Sequence, residues 1–431
     1  MKQSVKFMRW VVWGLSVAFY FYEYLPRVSV SIMVDGLEQS FAVQAGALGL
    51  LSSLYLFAYA PMQLPVGLLM DRYGARRLLT FATLGVGLST LIFGLSPYLW
   101  LAGITRFITG GASAFAFIGM IYICSHWFED SKLAIMIGLG NSIGMLGAVC
   151  GEGPLSFFVE DFGWRQTMFG MGVIGIILAF IIFLIVRNEP PEMAHHSTDS
   201  KKPLSFTKTI KLVIHNRWSW INAVVCLLFY ATTGAFAALW GVSFLQATYG
   251  LTKTTAGFAS SMFFVGTIVT GPLIGLISDW IRKRKPLLLV TTFCTLICVT
   301  ILIYSSNLPV WGIFALFFLS GAFSGGQLLC YSLAIELNHP VVKGTSIAFT
   351  NFMVFVGSAA LQVLTGFFLD AAWSGKMVNG VPLYTGSEYK EALIIYPITL
   401  ALAFILAFFL RDKHAIDEPI FKEISRSLKT R

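Results

Sequence analysis

The chain has 431 residues, of which 56% are hydrophobic and 12% charged, and its mean hydropathy is +0.76. A soluble domain has no way to hide that much apolar surface, so composition places the chain in a membrane. The formal net charge of +9 is concentrated in short segments between apolar runs, which topology explains better than nucleic acid or another polyanionic partner.

Met1–Arg9 is a short basic lead that runs into apolar sequence without a small-residue cleavage site, which reads as an uncleaved first span. Crossing about 30 Å of hydrocarbon takes about 20 residues. Runs of that length recur near 10–33, 45–70, 78–95, 100–125, 133–158 and 166–187, then near 218–245, 254–278, 286–306, 309–336, 343–369 and 391–411. The reading is an all-α integral membrane protein of twelve transmembrane helices in two six-helix, pseudo-symmetric bundles. The bundles span 1–187 and 218–411, with a polar, proline-bearing linker at 188–217 and a tail at 412–431. His195 and His196 in the linker read as solvated.

With alternating spans, Lys2, Lys6, Arg9, Arg72, Arg76, Arg77, Lys132, Arg282–Lys285, Lys343, the linker and the tail fall on one side. Only Arg165, Lys253, Lys376 and Lys390 fall on the other. That asymmetry puts both termini in the cytoplasm. The six cysteines lie in apolar runs without CxxC or metal-ligand spacing, and the histidines are dispersed, so the sequence asks for no cofactor and no metal. No GxxxxGK[ST] run is present, which argues against an ATP-driven pump, and nothing clusters as a catalytic centre would.

One turn organises the chain. GLLMDRYGARR (Gly67–Arg77) stands between two spans, and GLISDWIRKRK (Gly275–Lys285) repeats it 208 positions later, about half the chain. The sequence is a tandem duplication. A Gly-x-x-x-Asp-Arg-x-Gly-x-Arg-Arg turn after the second span, repeated after the eighth, resembles the loop signature of the major facilitator superfamily. So do the six-plus-six layout and the GWR turn at Gly163–Arg165. FYEYLPRVSVSIM (Phe21–Met33), AYAPMQLPVG (Ala58–Gly67) and NGVPLY (Asn379–Tyr384) resemble a bacterial subgroup that includes phagosomal transporters of amino acids or nucleosides and related siderophore carriers.

The resemblance implies a gate in which Asp71 approaches the helix start at Lys343–Gly344 of the opposite half and Asp279 does the same near Ser131–Lys132. Arg72, Arg76 and Arg282 stand beside the two acids. An acid at a helix N-terminus gains about 0.3–1 kcal/mol, and breaking both contacts lets the halves rock about a midplane site.

An ionised side chain at bilayer depth costs at least about 2.5–3.5 kcal/mol, so it persists mainly where paired or functional. Glu23 and Arg27 lie four apart on the first helix and close enough to pair, with Tyr20 and Tyr24 beside them and Pro26 between. Arg106 on the fourth span and Glu152 on the fifth reach a similar depth, so two arginines and one acid can meet. Two readings stand open: Arg27 and Arg106 hold a substrate carboxylate or phosphate while Glu23 or Glu152 carries a proton, or the charges pair and lock helices together. The GEGP run at Glu152 departs from the uninterrupted Gly-Pro of the antiporter motif, which speaks against antiport.

Tyr55, Trp240, Gln246, Gln327, Tyr331 and Asn351 add aromatic and amide groups, with Tyr230, Thr232, Thr233 and Gln362 nearby in sequence or depth; such walls suit a small polar solute. The expectation is proton-coupled uptake of a small zwitterionic or anionic nutrient (amino acid, nucleoside or organic acid) by a monomer in a bacterial inner membrane. Its partners are that solute, a coupling proton and membrane lipid. A siderophore or polycarboxylate carrier and a proton-coupled efflux pump are the alternatives.

Overall fold

A computed structural model describes residues 2–189, 206–305, 307–339, 342–378 and 381–410. His195, His196, most of the linker and the tail lie outside the described residues. The helices are α1 (Lys2–Val28), α2 (Val34–Phe41), α3 (Ala45–Met62), α4 (Val66–Tyr73), α5 (Ala75–Leu95), α6 (Leu99–Trp127), α7 (Asp130–Glu152), α8 (Pro154–Ile185) and α9 (Phe206–His215). They continue as α10 (Arg217–Ala231), α11 (Gly241–Tyr249), α12 (Lys253–Ile281), α13 (Lys285–Tyr304), α14 (Val310–Ser324), α15 (Leu328–Glu336), α16 (Lys343–Ala372), α17 (Gly386–Ala392) and α18 (Ile395–Ala407). A two-stranded antiparallel ribbon, Met377–Val378 with Val381–Pro382, links α16 to α17. Eleven runs among the described residues are long and apolar enough to span a bilayer. The 27-residue α1, which carries Glu23 and Arg27, is the twelfth rod of a twelve-helix fold.

The duplication is visible in the packing. In the first half α1 lies on α7, α3 on α6, and α5 on both α6 and α8; in the second α10 lies on α16, α12 on α14, and α13 on both α14 and α18. Even the tightest contacts match. A Cβ on Gly110 of α6 would sit 1.9 Å from the Tyr55 carbonyl oxygen on α3, and one on Gly321 of α14 would sit 1.8 Å from that of Phe263 on α12. Neither position admits a side chain, which is how small residues let membrane helices close backbone to backbone.

Three helices break where uninterrupted spans were expected. α1 tightens after Pro26 into a 3₁₀ turn, Ser29–Ile32; α7 stops at Glu152 rather than running to 158, because Pro154 has no N–H to continue the ladder; and the seventh span passes through a π-helical stretch, Thr232–Trp240. The GWR turn holds one end of α5, since Arg165 Nη1 donates to the Ser96 carbonyl at 2.5 Å.

The halves meet along two seams, α3 on α16 and α7 on α12, which the duplication relates to one another. At the end where α3 begins, the seam is tight. Asp370 of α16 accepts the Gly46 amide at 2.9 Å, Tyr384 donates to Asp370 at 2.5 Å, and the Ala45 amide donates to the Tyr384 hydroxyl at 3.1 Å. Lys253 pairs with Asp35 at 3.8 Å, and Thr254 donates to Glu160. At the opposite end, which carries the repeated turns, no hydrogen bond or ion pair among the described residues ties one half to the other beyond Asn351–Gln63, and Gly67, Gly275 and Gly344 have open space where a side chain would start. Among the described residues the halves are latched at one end and unlatched, or parted, at the other.

Candidate functional site

Below the sealed end the halves enclose a cavity lined by Tyr24, Arg27, Ser52, Tyr55 and Arg106 of the first half and by Tyr230, Thr233, Gly234, Phe264 and Gln362 of the second. Tyr55 lies ten residues into α3, about 15 Å from its start at 1.5 Å per residue, which is half the depth of a bilayer core. The free volume is about 20 Å³, roughly room for one water, so a cargo enters only when the walls move apart.

Arg27 is the centre of the site. Its guanidinium lies 4.9 Å from the Tyr24 ring centroid, 5.8 Å from Tyr55, 5.0 Å from Tyr59 and 5.0 Å from Phe355 of the opposite half. Glu23, one turn back, comes within 3.6 Å of Nη1 and accepts the Tyr55 hydroxyl at 2.6 Å. The expected pair is therefore made, and its carboxylate also orients an aromatic wall.

Arg106 is turned differently from a second clamp. Its Nη1 donates to the Pro26 carbonyl at 2.5 Å and its Nη2 to that of Arg27 at 3.4 Å, carbonyls at the end of α1, where the helix gives way to the 3₁₀ turn. Arg106 thus fixes the break in α1 that aims Arg27, while its Nε remains buried without a partner. Glu152 does not join the arginines. It lies fully buried at the α7–α12 seam, where one oxygen accepts the Ser31 hydroxyl at 3.1 Å and the other has no partner.

The remaining sequence candidates fall at three depths. Tyr20 donates to Asn141 at 3.2 Å, beside the cavity wall. Tyr331 donates to Asn351, which donates to Gln63 of the first half at 3.2 Å, a polar string across the α3–α16 seam on the parted side of the cavity. Gln327 is buried with an unpartnered carbonyl oxygen. Trp240 is sealed in the second-half core, donating to the Gln362 carbonyl at 3.2 Å, and Gln246 sits on α11; neither lines the cavity. Sequence reading passed over Tyr59, Phe355, Phe264 and Ser52. The Tyr55–Tyr59 spacing of four, one face of a helix, was the available signal for one of them.

The turns depart from their expected contacts. Asp71 is exposed and makes no hydrogen bond or ion pair with a described residue, and Arg72 stacks on Tyr73 at 5.2 Å. Arg76 donates to the Phe183 carbonyl at 2.9 and 3.0 Å within its own half. Asp279 pairs with Arg284 at 2.6 Å, not with Arg282, and Arg284 also reaches Glu336 at 3.3 Å. Arg282 is exposed, in left-handed backbone at φ +56°, where the first copy has Gly74 at φ +78°.

A family model described as Major Facilitator Superfamily matches residues 13–360 and 223–429. A probable hexose phosphate transport protein of Chlamydia trachomatis is 24% identical over 406 residues, 88% of this chain and 89% of the relative. A probable galactarate/D-glucarate transporter, GudP of Bacillus subtilis, is 23% identical over 406 residues, 86% and 88% of the two chains. The solved structure of a bacterial homolog to the human lysosomal transporter Spinster, inward-facing and unoccupied, superposes with a TM-score of 0.75 at 16% identity, covering 94% of this chain and 97% of that one.

Proposed function

The chain belongs to the Major Facilitator Superfamily, as a transmembrane transporter and not an enzyme, and we propose that it takes up a small organic anion or zwitterion together with a proton. One observation carries the proposal: a guanidinium, Arg27, stands at mid-depth in the only described place where aromatic walls of both halves close on a charge. A fixed cation there binds a carboxylate or phosphate in the geometry guanidinium favours, and the printed names of two relatives, a hexose phosphate and a galactarate/D-glucarate transporter, belong to that anionic class.

Arg27 binds the cargo, with Tyr24 and Tyr55 as walls. Arg106 acts through the backbone that positions Arg27, Glu23 and Glu152 are the acids available for coupling, and Asn351 and Tyr331 close the cavity on the side of the turns. The bundles 1–187 and 218–411 rock about this point in a bacterial inner membrane, with one chain sufficient. With the basic turns and both termini cytoplasmic, the Asp370 seam is the closed outer gate, and the inner side is held by the Tyr331–Asn351–Gln63 string alone among the described residues.

The test is uptake into proteoliposomes under an inward proton gradient, with glucose 6-phosphate, D-glucarate, an amino acid mixture and a nucleoside mixture as separate cargoes. Accumulation of one of them that collapses in Arg27→Ala supports the reading. Accumulation untouched by Arg27→Ala, or uptake confined to uncharged nucleosides, overturns it.

A further inference from the structure

The carrier reading leaves two acids available for the proton, and their surroundings are unlike. Glu23 accepts the Tyr55 hydroxyl on Oε2, and its Oε1, which makes no hydrogen bond, faces the Arg27 guanidinium at 3.6 Å, so a cation compensates its charge. Glu152 has no such match.

Glu152 is fully buried, and the polar side chains that reach its carboxyl among the described residues are hydroxyls. The 3₁₀ turn after α1 brings Ser31, whose hydroxyl donates to Oε1 at 3.1 Å. From α12, Ser260 faces the carboxyl, and Gly257 packs so close that a Cβ there would lie 2.4 Å from the Glu152 carbonyl oxygen. The charged groups on neighbouring elements are engaged elsewhere: Arg27 with Glu23, Arg106 with the α1 carbonyls, Lys253 with Asp35, and Glu160 with Thr254. The nearest thiol on its own helix is Cys150. A carboxylate sealed without a cation or enough donors is expensive. The neutral acid, with one proton, fits this space.

The position gives that proton a consequence. Glu152 ends α7 at the seam with α12, one of the two main seams between the halves, and its other flank is the break at Gly153–Pro154. Parting the outer seam exposes the carboxyl to outside water; closing it strips that water away. We infer that Glu152, rather than Glu23, carries the coupling proton, and that the outer seam closes only over its protonated form. This rests on the carrier reading for which side is outside. An acidic exterior then loads the acid and drives the transporter inward, and release of the proton inside follows when the path from the cavity reaches Glu152.

The test reads the seam without any cargo. Ser156 is fully buried between Glu152's helix break and Gly257, so Ser156→Cys becomes accessible to a membrane-impermeant maleimide only when α7 and α12 part. Labelling is measured from the outside at about pH 5.5 and about pH 8, with labelling of the parent subtracted. Because Glu38, Asp35 and Asp370 also lie at the outer end, the measurement is made in an E38Q background. Expected is labelling that rises with external pH, by up to about tenfold per pH unit for a single linked proton, retained in E152D and flat and low in E152Q. An equal rise in E152Q overturns the inference. Should E152Q fail to purify as a monodisperse protein, a pH-jump infrared difference spectrum of the E38Q parent and of E152D decides. A protonated-carboxyl band that moves between them supports the assignment, and identical spectra overturn it. Failure here with Arg27-dependent uptake intact would leave the anion reading standing, while a sloping label without anion uptake would remove only that reading.

Discussion

Arg284 and Arg282 show how much a single position decides. Offset by 208 residues, Arg284 corresponds to Arg76 and Arg282 to Gly74, yet Arg76 turns to the Phe183 carbonyl while Arg284 takes Asp279, so neither proximity in sequence nor the alignment of the two turns gives the partner of Asp279. An arginine in left-handed backbone gives up about 1–2 kcal/mol relative to a residue without a Cβ. Arg282→Gly should therefore raise the melting temperature of the purified protein and leave transport unchanged; a fall in melting temperature would show that the side chain supports the turn. Arg284→Ala removes both ion pairs, but Asp279 is 68% exposed, so the loss should stay within about 1 kcal/mol. At Arg27 the predicted effect is larger. Arg27→Lys keeps the charge but loses the flat face that stacks on four rings, each contact worth about 0.5–2 kcal/mol depending on its desolvation. Apparent cargo affinity in the uptake assay should drop by at least about tenfold, and an unchanged affinity would mean that charge alone suffices.

The elements were legible in number and order because each span is a long apolar run, whereas their breaks were not. The 3₁₀ turn at Ser29–Ile32 depends on Arg106 from another helix capping the freed carbonyls, and the π stretch depends on Gln362 Nε2 donating to the Gly234 carbonyl at 2.8 Å. Periodicity within one segment carries no trace of a partner from another. The same limit applies to α3. The acid that caps a helix start across the halves is Asp370, and it acts at the end opposite the repeated turns. Beside it Glu38 of α2 is buried with Oε1 unpartnered. Burial first, then Asp35 and Asp370, pushes its carboxyl from the ordinary 4.5 up to about 8. The sign follows from linkage: the closed seam holds Glu38 neutral, so closure carries no penalty below about pH 4.5, loses stability as pH climbs towards 8, and bears the full cost above it. Glu38→Gln should raise the melting temperature at about pH 9 and leave it unchanged at about pH 4. Equal shifts at both values would point to packing instead of charge.

At the scale of the whole molecule, the duplication makes one conformation informative about its counterpart. The seams α3–α16 and α7–α12 are equivalent under the repeat, so closing the parted end is a rocking of the halves that needs no new helix contacts, only a transfer of tightness from one end to the other. At the sealed end the latch is an acid on a helix start from the opposite half, Asp370 on α3. At the parted end the same device lies unmade, with Asp71 exposed and the start of α16 at Lys343–Gly344 open. Each latch contributes about 0.3–1 kcal/mol through the helix dipole and free amides, which is enough to shift a near-balanced equilibrium by about two- to fivefold. The two acids should then act in opposite senses. With a single cysteine at Gly67, on the parted end, labelling from the side of the repeated turns reports the population open at that end. Asp370→Asn should lower that labelling, because the outer latch that favours the observed state is weakened, and Asp71→Asn should raise it, because the competing state loses its latch. The double substitution should return labelling close to that of the parent. If both single substitutions shift labelling in the same direction, the acids act on stability or lipid contact, and the exchange of one latch for the other is wrong.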